Sequence, residues 1–228
     1  MLFRSVALKR EAFRKQMDEV SDARGIEPDS KASGQYNNLV IYIRFKNDGD
    51  FNVSRAGFDK TLNSTTGASM RNYFREVSYN KLDIISYHFP GGTTAGIYYT
   101  DTHSRNYYRL YNFSLNPEGY MTETEKIQRE HNLLANAVNS LSSFYSLPAG
   151  VDFDQNDDKI LDNISFIIKG EPDGWNDLLW PHRWVLYTKT VRIEGLQVYG
   201  YNFQFEDVDV TTISHEMFHS FGAPDLYH

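Results

Sequence analysis

Two histidines four residues apart, with a glutamate directly after the first, are the residues of this chain best suited to chemistry. They stand in Thr212-Ile213-Ser214-His215-Glu216-Met217-Phe218-His219-Ser220-Phe221-Gly222-Ala223-Pro224-Asp225. On a helix this spacing brings both imidazoles onto one face, one turn apart. Two neutral imidazoles so placed can bind a single zinc ion, for which both are favoured ligands. Glu216 lies beside them, poorly placed for the same tetrahedron but within reach of water on the metal. There it can accept a proton and later deliver it to a leaving amine. Gly222 can adopt a left-handed conformation, stopping the helix after His219 and folding the chain back. Asp225 then arrives either as a third ligand or as a turn residue after Pro224. The bland alternative for the whole stretch is a surface helix bearing two solvated histidines.

A second constellation runs from Asp152 to Asp162. Asp154, Asn156, Asp158 and Asp162 fall at the alternating positions of a calcium loop, and Ile160 offers a carbonyl between the last two. A dense set of carboxylates suits a hard cation, because the charges otherwise repel. Lys159 stands where such loops carry glycine, and no glutamate closes the loop. An acidic solvated turn is the competing reading. His182, between Pro181 and Arg183, reads as a packed structural histidine, and His88, His103 and His131 have no partners at ligand spacing. No Gly-x-Ser-x-Gly elbow, phosphate loop or dinucleotide fingerprint occurs. The absence of cysteine excludes a disulfide framework, an iron–sulfur cluster and a thiol nucleophile.

The elements that must position the histidines are legible in outline. Leu39–Phe45, Leu82–Tyr87 and Ile164–Ile168 read as strands, and Val191–Phe205 as one or two more. Ser69 caps a short helix bearing Met70, Tyr73, Phe74 and Val77. The longest helix runs from Thr122 to Tyr145, with a Thr122/Glu125 capping box and a stripe of Ile127, Leu134, Val138, Leu141 and Tyr145. A final helix starts at Thr211 or Thr212 and ends at Gly222. Residues 2–20 read as a basic amphipathic helix docked on the core, and Ser21–Asn38 as a linker. The fold class is α/β or α+β: a twisted mixed sheet with the long helix behind it and the histidine helix beneath.

The 228 residues suit one large domain or two lobes around a cleft, and 34 aromatic side chains argue against disorder. The net charge of -7, without a basic stripe, argues against nucleic acid as a partner. No apolar run approaches the roughly 20 residues of a membrane span. The first ten residues carry the charge of an export signal but not its apolar centre.

The stretch His215–Tyr227 resembles the immune inhibitor A-type metallopeptidases, the M6 family, which are similar to metzincins in their glycine after the second histidine. Met70–Leu82 is similar to that family's helix-to-strand segment, and Trp180-Pro181-His182-Arg183-Trp184 resembles its Trp-Pro-His motif. The acidic loop resembles its calcium segment. The resemblance covers Leu39 to the C-terminus and implies a secreted bacterial zinc endopeptidase acting on proteins or peptides. It implies His215, His219 and Asp225 as zinc ligands, Glu216 as acid/base, calcium in the Asp154–Asp162 loop, and a zincin-like N-terminal lobe. Residues 1–38 would be a propeptide remnant and 39–228 a catalytic domain whose lower lobe is missing after His228. The rival class is a non-catalytic metal-binding scaffold or adhesion module. Glu216 argues against it, since a structural zinc has no use for a base beside its ligands.

Overall fold

The computed structural model describes residues 33–91, 96–174, 177–207 and 209–223. The helix expected over residues 2–20, and Asp225, lie outside these. Among the described residues no helix is long and apolar enough to cross a membrane.

The chain builds a mixed α/β fold on a mostly parallel sheet. Its central strand β1 (Gly34–Arg44) pairs in parallel with β2 (Leu82–Phe89), with the short β3 (Tyr99–Thr100) and with β4 (Asn163–Ile168). Beyond β4 comes parallel β8 (Gly200–Phe205), and then antiparallel β5 (His182–Val185) at the edge. A separate hairpin joins β6 (Val191–Ile193) to β7 (Leu196–Val198). The Val191–Phe205 segment thus supplies three strands, not one or two, and the edge strand at His182 is an addition to the expected set.

β1 begins five residues before the expected start at Leu39, inside the segment read as linker. Two asparagines disguise it. Asn37 is buried and donates from Nδ2 to the Asp152 carbonyl at 2.6 Å, while Asn38 is fully buried among polar neighbours described below. Strand alternation then divides the core. Leu39, Ile41, Ile43 and Phe45 face one side with Ile164, Phe166 and Phe203, where helix α3 (Glu123–Ser142) packs through Leu133, Leu134, Ala137, Val138 and Leu141. Tyr36, Val40, Tyr42 and Ile167 face the other side. That side is covered by α1 (Arg55–Asn63), α2 (Met70–Val77) and α4 (Val210–Ser220).

The helix ends follow their caps. The Ser69 hydroxyl accepts from Asn72 N at 3.1 Å and Thr122 Oγ1 from Glu125 N at 3.2 Å, as expected. α3 ends at Ser142 rather than Tyr145. There the Ser143 hydroxyl bonds back to the Asn139 carbonyl at 2.6 Å, competing with the next helical turn and leaving Tyr145 exposed.

Candidate metal centre

α4 leaves the sheet at the end of β8 and returns across its face. Its cap is Asp209, not Thr211 or Thr212. One Asp209 oxygen accepts from Thr212 N at 2.9 Å and the other from the Thr212 hydroxyl at 2.8 Å. A carboxylate also suits the positive end of the helix, which a threonine does not exploit. Ile213 and Met217 are fully buried against Phe58, Met70 and Phe74, so the apolar stripe sets which face of α4 meets the sheet. His215 and His219 fall on the flank of that stripe, half-buried, and Glu216 is buried with 7% exposure.

The two rings meet edge to face, centroids 4.7 Å apart and planes at 81°, with their Nε2 atoms 3.2 Å apart. Two nitrogens bound tetrahedrally to zinc at 2.0–2.1 Å lie about 3.3 Å from each other. The pair therefore already has the spacing of zinc ligands. Among the described residues, His215, Glu216 and His219 form a group whose ligand atoms all lie within 4.8 Å of one another. A metal ion can be held here.

The tautomer of His219 is also set. Its Nδ1 lies 2.7 Å from the Ala223 carbonyl, which can only accept, so Nδ1 carries the proton and the neutral ring's Nε2 keeps its lone pair. The turn that delivers this carbonyl depends on Gly222, at φ +79°. Ala223 N donates to the Phe218 carbonyl and Gly222 N to that of His219, each at 3.1 Å, which is the Schellman pattern. A backbone carbonyl behind a ligating ring is the usual way such a ligand is oriented. Gly222 ends the helix as expected, and its visible consequence is this contact.

The acidic loop is ordered by its own side chains. Asp154 is buried and accepts from Lys159 N at 3.2 Å and from its Nζ at 3.4 Å. Asp162 accepts from Gln155 N, Asp158 from Ile160 N, and Asn156 donates to Asp158. Lys159 takes the left-handed turn expected of glycine, at φ +67°. Gln197 on β7 brackets the loop, donating to the Lys159 carbonyl at 2.8 Å and accepting from Leu161 N at 2.9 Å.

His182 is packed as a structural residue. It is 2% exposed, with Nε2 3.0 Å from Glu130 Oε1 and Nδ1 2.7 Å from the Trp180 carbonyl. The Tyr201 hydroxyl donates to the same Glu130 oxygen. Burial opposes both charges. Their attraction prevails, raising the His182 pKa and lowering that of Glu130. Beside them His131 is fully buried with Nδ1 2.7 Å from the Thr188 hydroxyl, and burial pushes its pKa down to about 4. Glu130 escapes a reading of motifs, although a charge within the apolar stripe of α3 signals a buried partner. Compared with known proteins, the chain matches no family model and no curated protein.

Proposed function

We propose that this chain is a zinc-dependent endopeptidase that hydrolyses peptide bonds in proteins, with Glu216 as general base. The observation that carries the reading is the 3.2 Å approach of the His215 and His219 Nε2 atoms, with His219 Nδ1 committed to the Ala223 carbonyl. His215 and His219 would hold the ion, with Asp225 as third ligand. When bound, zinc supplies polarisation of a carbonyl and acidification of water, the two needs of amide hydrolysis. Glu216 takes the proton released as water attacks and returns it to the departing amine, leaving a carboxylate and a free amine.

Strand β5 supports a peptide as the substrate. It is the last strand of the sheet among the described residues and packs against α4, and we read its outer edge as the place where an extended peptide would add. Calcium in the Asp154–Asp162 loop and secretion belong to the same proposal, through the resemblance to immune inhibitor A-type peptidases. The test is casein hydrolysis by the purified chain with and without a chelator, beside Glu216→Ala. Activity lost in both confirms the mechanism. Activity surviving either excludes it, and bound zinc without activity selects the scaffold.

A further inference from the structure

Ser220 follows His219 directly and is 2% exposed. Its hydroxyl donates to Asn163 Oδ1 at 3.0 Å and accepts from Asn202 Nδ2 at 3.2 Å and from Arg183 Nε at 3.1 Å. One donor and two lone pairs are the whole capacity of a hydroxyl, so this one is saturated. Its partners come from three strands, β4, β8 and β5. They belong to a row of buried polar side chains that crosses the sheet under α4. Asn202 Nδ2 reaches Asn163 Oδ1 at 3.2 Å, Asn163 Nδ2 reaches Asn38 Oδ1 at 2.7 Å, and Asn38 Nδ2 reaches Ser86 Oγ at 3.0 Å.

Such a row needs a reason, because a buried amide costs free energy wherever a polar atom goes unbonded, as Asn202 Oδ1 does here. An apolar stripe alone holds a helix against a sheet but tolerates fraying of its last turn, whose carbonyls lack helical partners. Directional hydrogen bonds do not. His219 lies in the last turn of α4, one turn beyond His215, so fraying or twisting of that turn moves its ring relative to the ring of His215. The Ile213–Met217 stripe holds the body of α4, and Ser220, on the same sheet-facing side, holds the last turn at the residue next to His219.

Arg183 completes the node. Its guanidinium also donates to the Trp184 carbonyl and lies over Gly200, where a Cβ would come within 2.9 Å of Cζ. Glycine at position 200 thus makes room for the arginine that holds Ser220.

We propose that Ser220 and Arg183 are positioning residues of the metal centre, anchoring the last turn of α4 to the sheet so that His219 keeps its place opposite His215. This rests on the metal reading of His215 and His219. The experiment measures zinc affinity by competition with a chromophoric chelator, and the visible absorption spectrum of the cobalt(II)-loaded protein. The proteins are the unaltered chain, Ser220→Ala, Gly200→Ala and Ser86→Ala. Ser86→Ala is the control, cutting the opposite end of the same row.

Ser220→Ala is expected to weaken zinc binding about 10-fold and alter the cobalt spectrum, the scale of an outer-shell loss. Ser86→Ala should leave both as they were. Gly200→Ala displaces only the flexible end of Arg183, so it should fold well and shift the cobalt spectrum in the same sense. It decides the matter if Ser220→Ala does not fold. Unaltered affinity and spectrum in Ser220→Ala, or in Gly200→Ala when that variant decides, overturns the proposal while leaving the metal reading intact. An unaltered chain that binds no zinc, or binds it as well after His215→Ala, removes the metal reading itself.

Discussion

Strand β5 sends His182 into one face of the sheet and Arg183 into the other, and the two faces use histidine and glutamate in opposite ways. On the α3 face, His182 and Glu130 are 3.0 Å apart, with Tyr201 on the same carboxylate and the Trp180 carbonyl behind the ring. Both ring nitrogens are spoken for and the charges answer each other. On the α4 face, two half-buried rings point Nε2 at Nε2, and only a proton or a cation can reconcile two such nitrogens. The same residue types make a staple in one place and a ligand site in the other. What separates them is the partner each ring meets: a carboxylate and a carbonyl on one face, a second imidazole on the other.

This contrast can be broken most directly with His219→Ala. Zinc affinity measured by chelator competition should fall at least 100-fold, and casein hydrolysis should fall to background. Thermal stability without zinc should change little. Glu130→Ala attacks the staple instead. It leaves the His182 charge buried and unpaired, and should cost about 3–5 kcal/mol in urea unfolding. The folded fraction should keep its zinc stoichiometry; loss of zinc there would show the two faces to be one site.

His131 sharpens the comparison through pH. Its folded pKa of about 4 lies below the ordinary 6.5, so between these values the unfolded chain binds the proton and the folded chain does not. Stability from this group is complete above pH 6.5 and is lost as pH falls through 4, on the order of 3 kcal/mol at most. His131→Gln should flatten urea stability across that interval, and an unchanged slope would remove the buried neutral histidine as its cause. Gly222→Ala should cost about 1 kcal/mol for its left-handed backbone and weaken zinc severalfold by shifting the Ala223 carbonyl. The smallest expected effect is calcium on the Asp154–Asp162 loop: a rise of a few degrees in melting temperature, or none if Lys159 already serves as its cation.

The histidine helix was readable because its signals are local: the histidine spacing, the apolar stripe and the terminal glycine all lie between Ile213 and Gly222. The long helix announced itself in the same way through Thr122 and Glu125. α1 had comparable signals, a Ser54 cap and buried Phe58 and Leu62, yet at nine residues they were too few to stand out. β1 was cut short because Asn37 and Asn38 look like loop residues until their partners are known. β5 was hidden inside an aromatic motif, and as a four-residue edge strand it has little alternation to show. The polar row was not legible at all, since its members are separated by up to 182 positions and meet only through strand order. Family resemblance directed attention to Trp180–Trp184 but not to Arg183 as the partner of Ser220.

The amide row has a further consequence, for alignment during folding. A strand displaced by two residues keeps its oily side chains on the correct surface, so greasy alternation alone cannot detect the mistake. Asn38 and Asn163 can, because they stand directly opposite each other and a slip of two residues between β1 and β4 breaks the bond between their carboxamides. This amide pair serves as a combination lock that opens for one alignment of the two central strands.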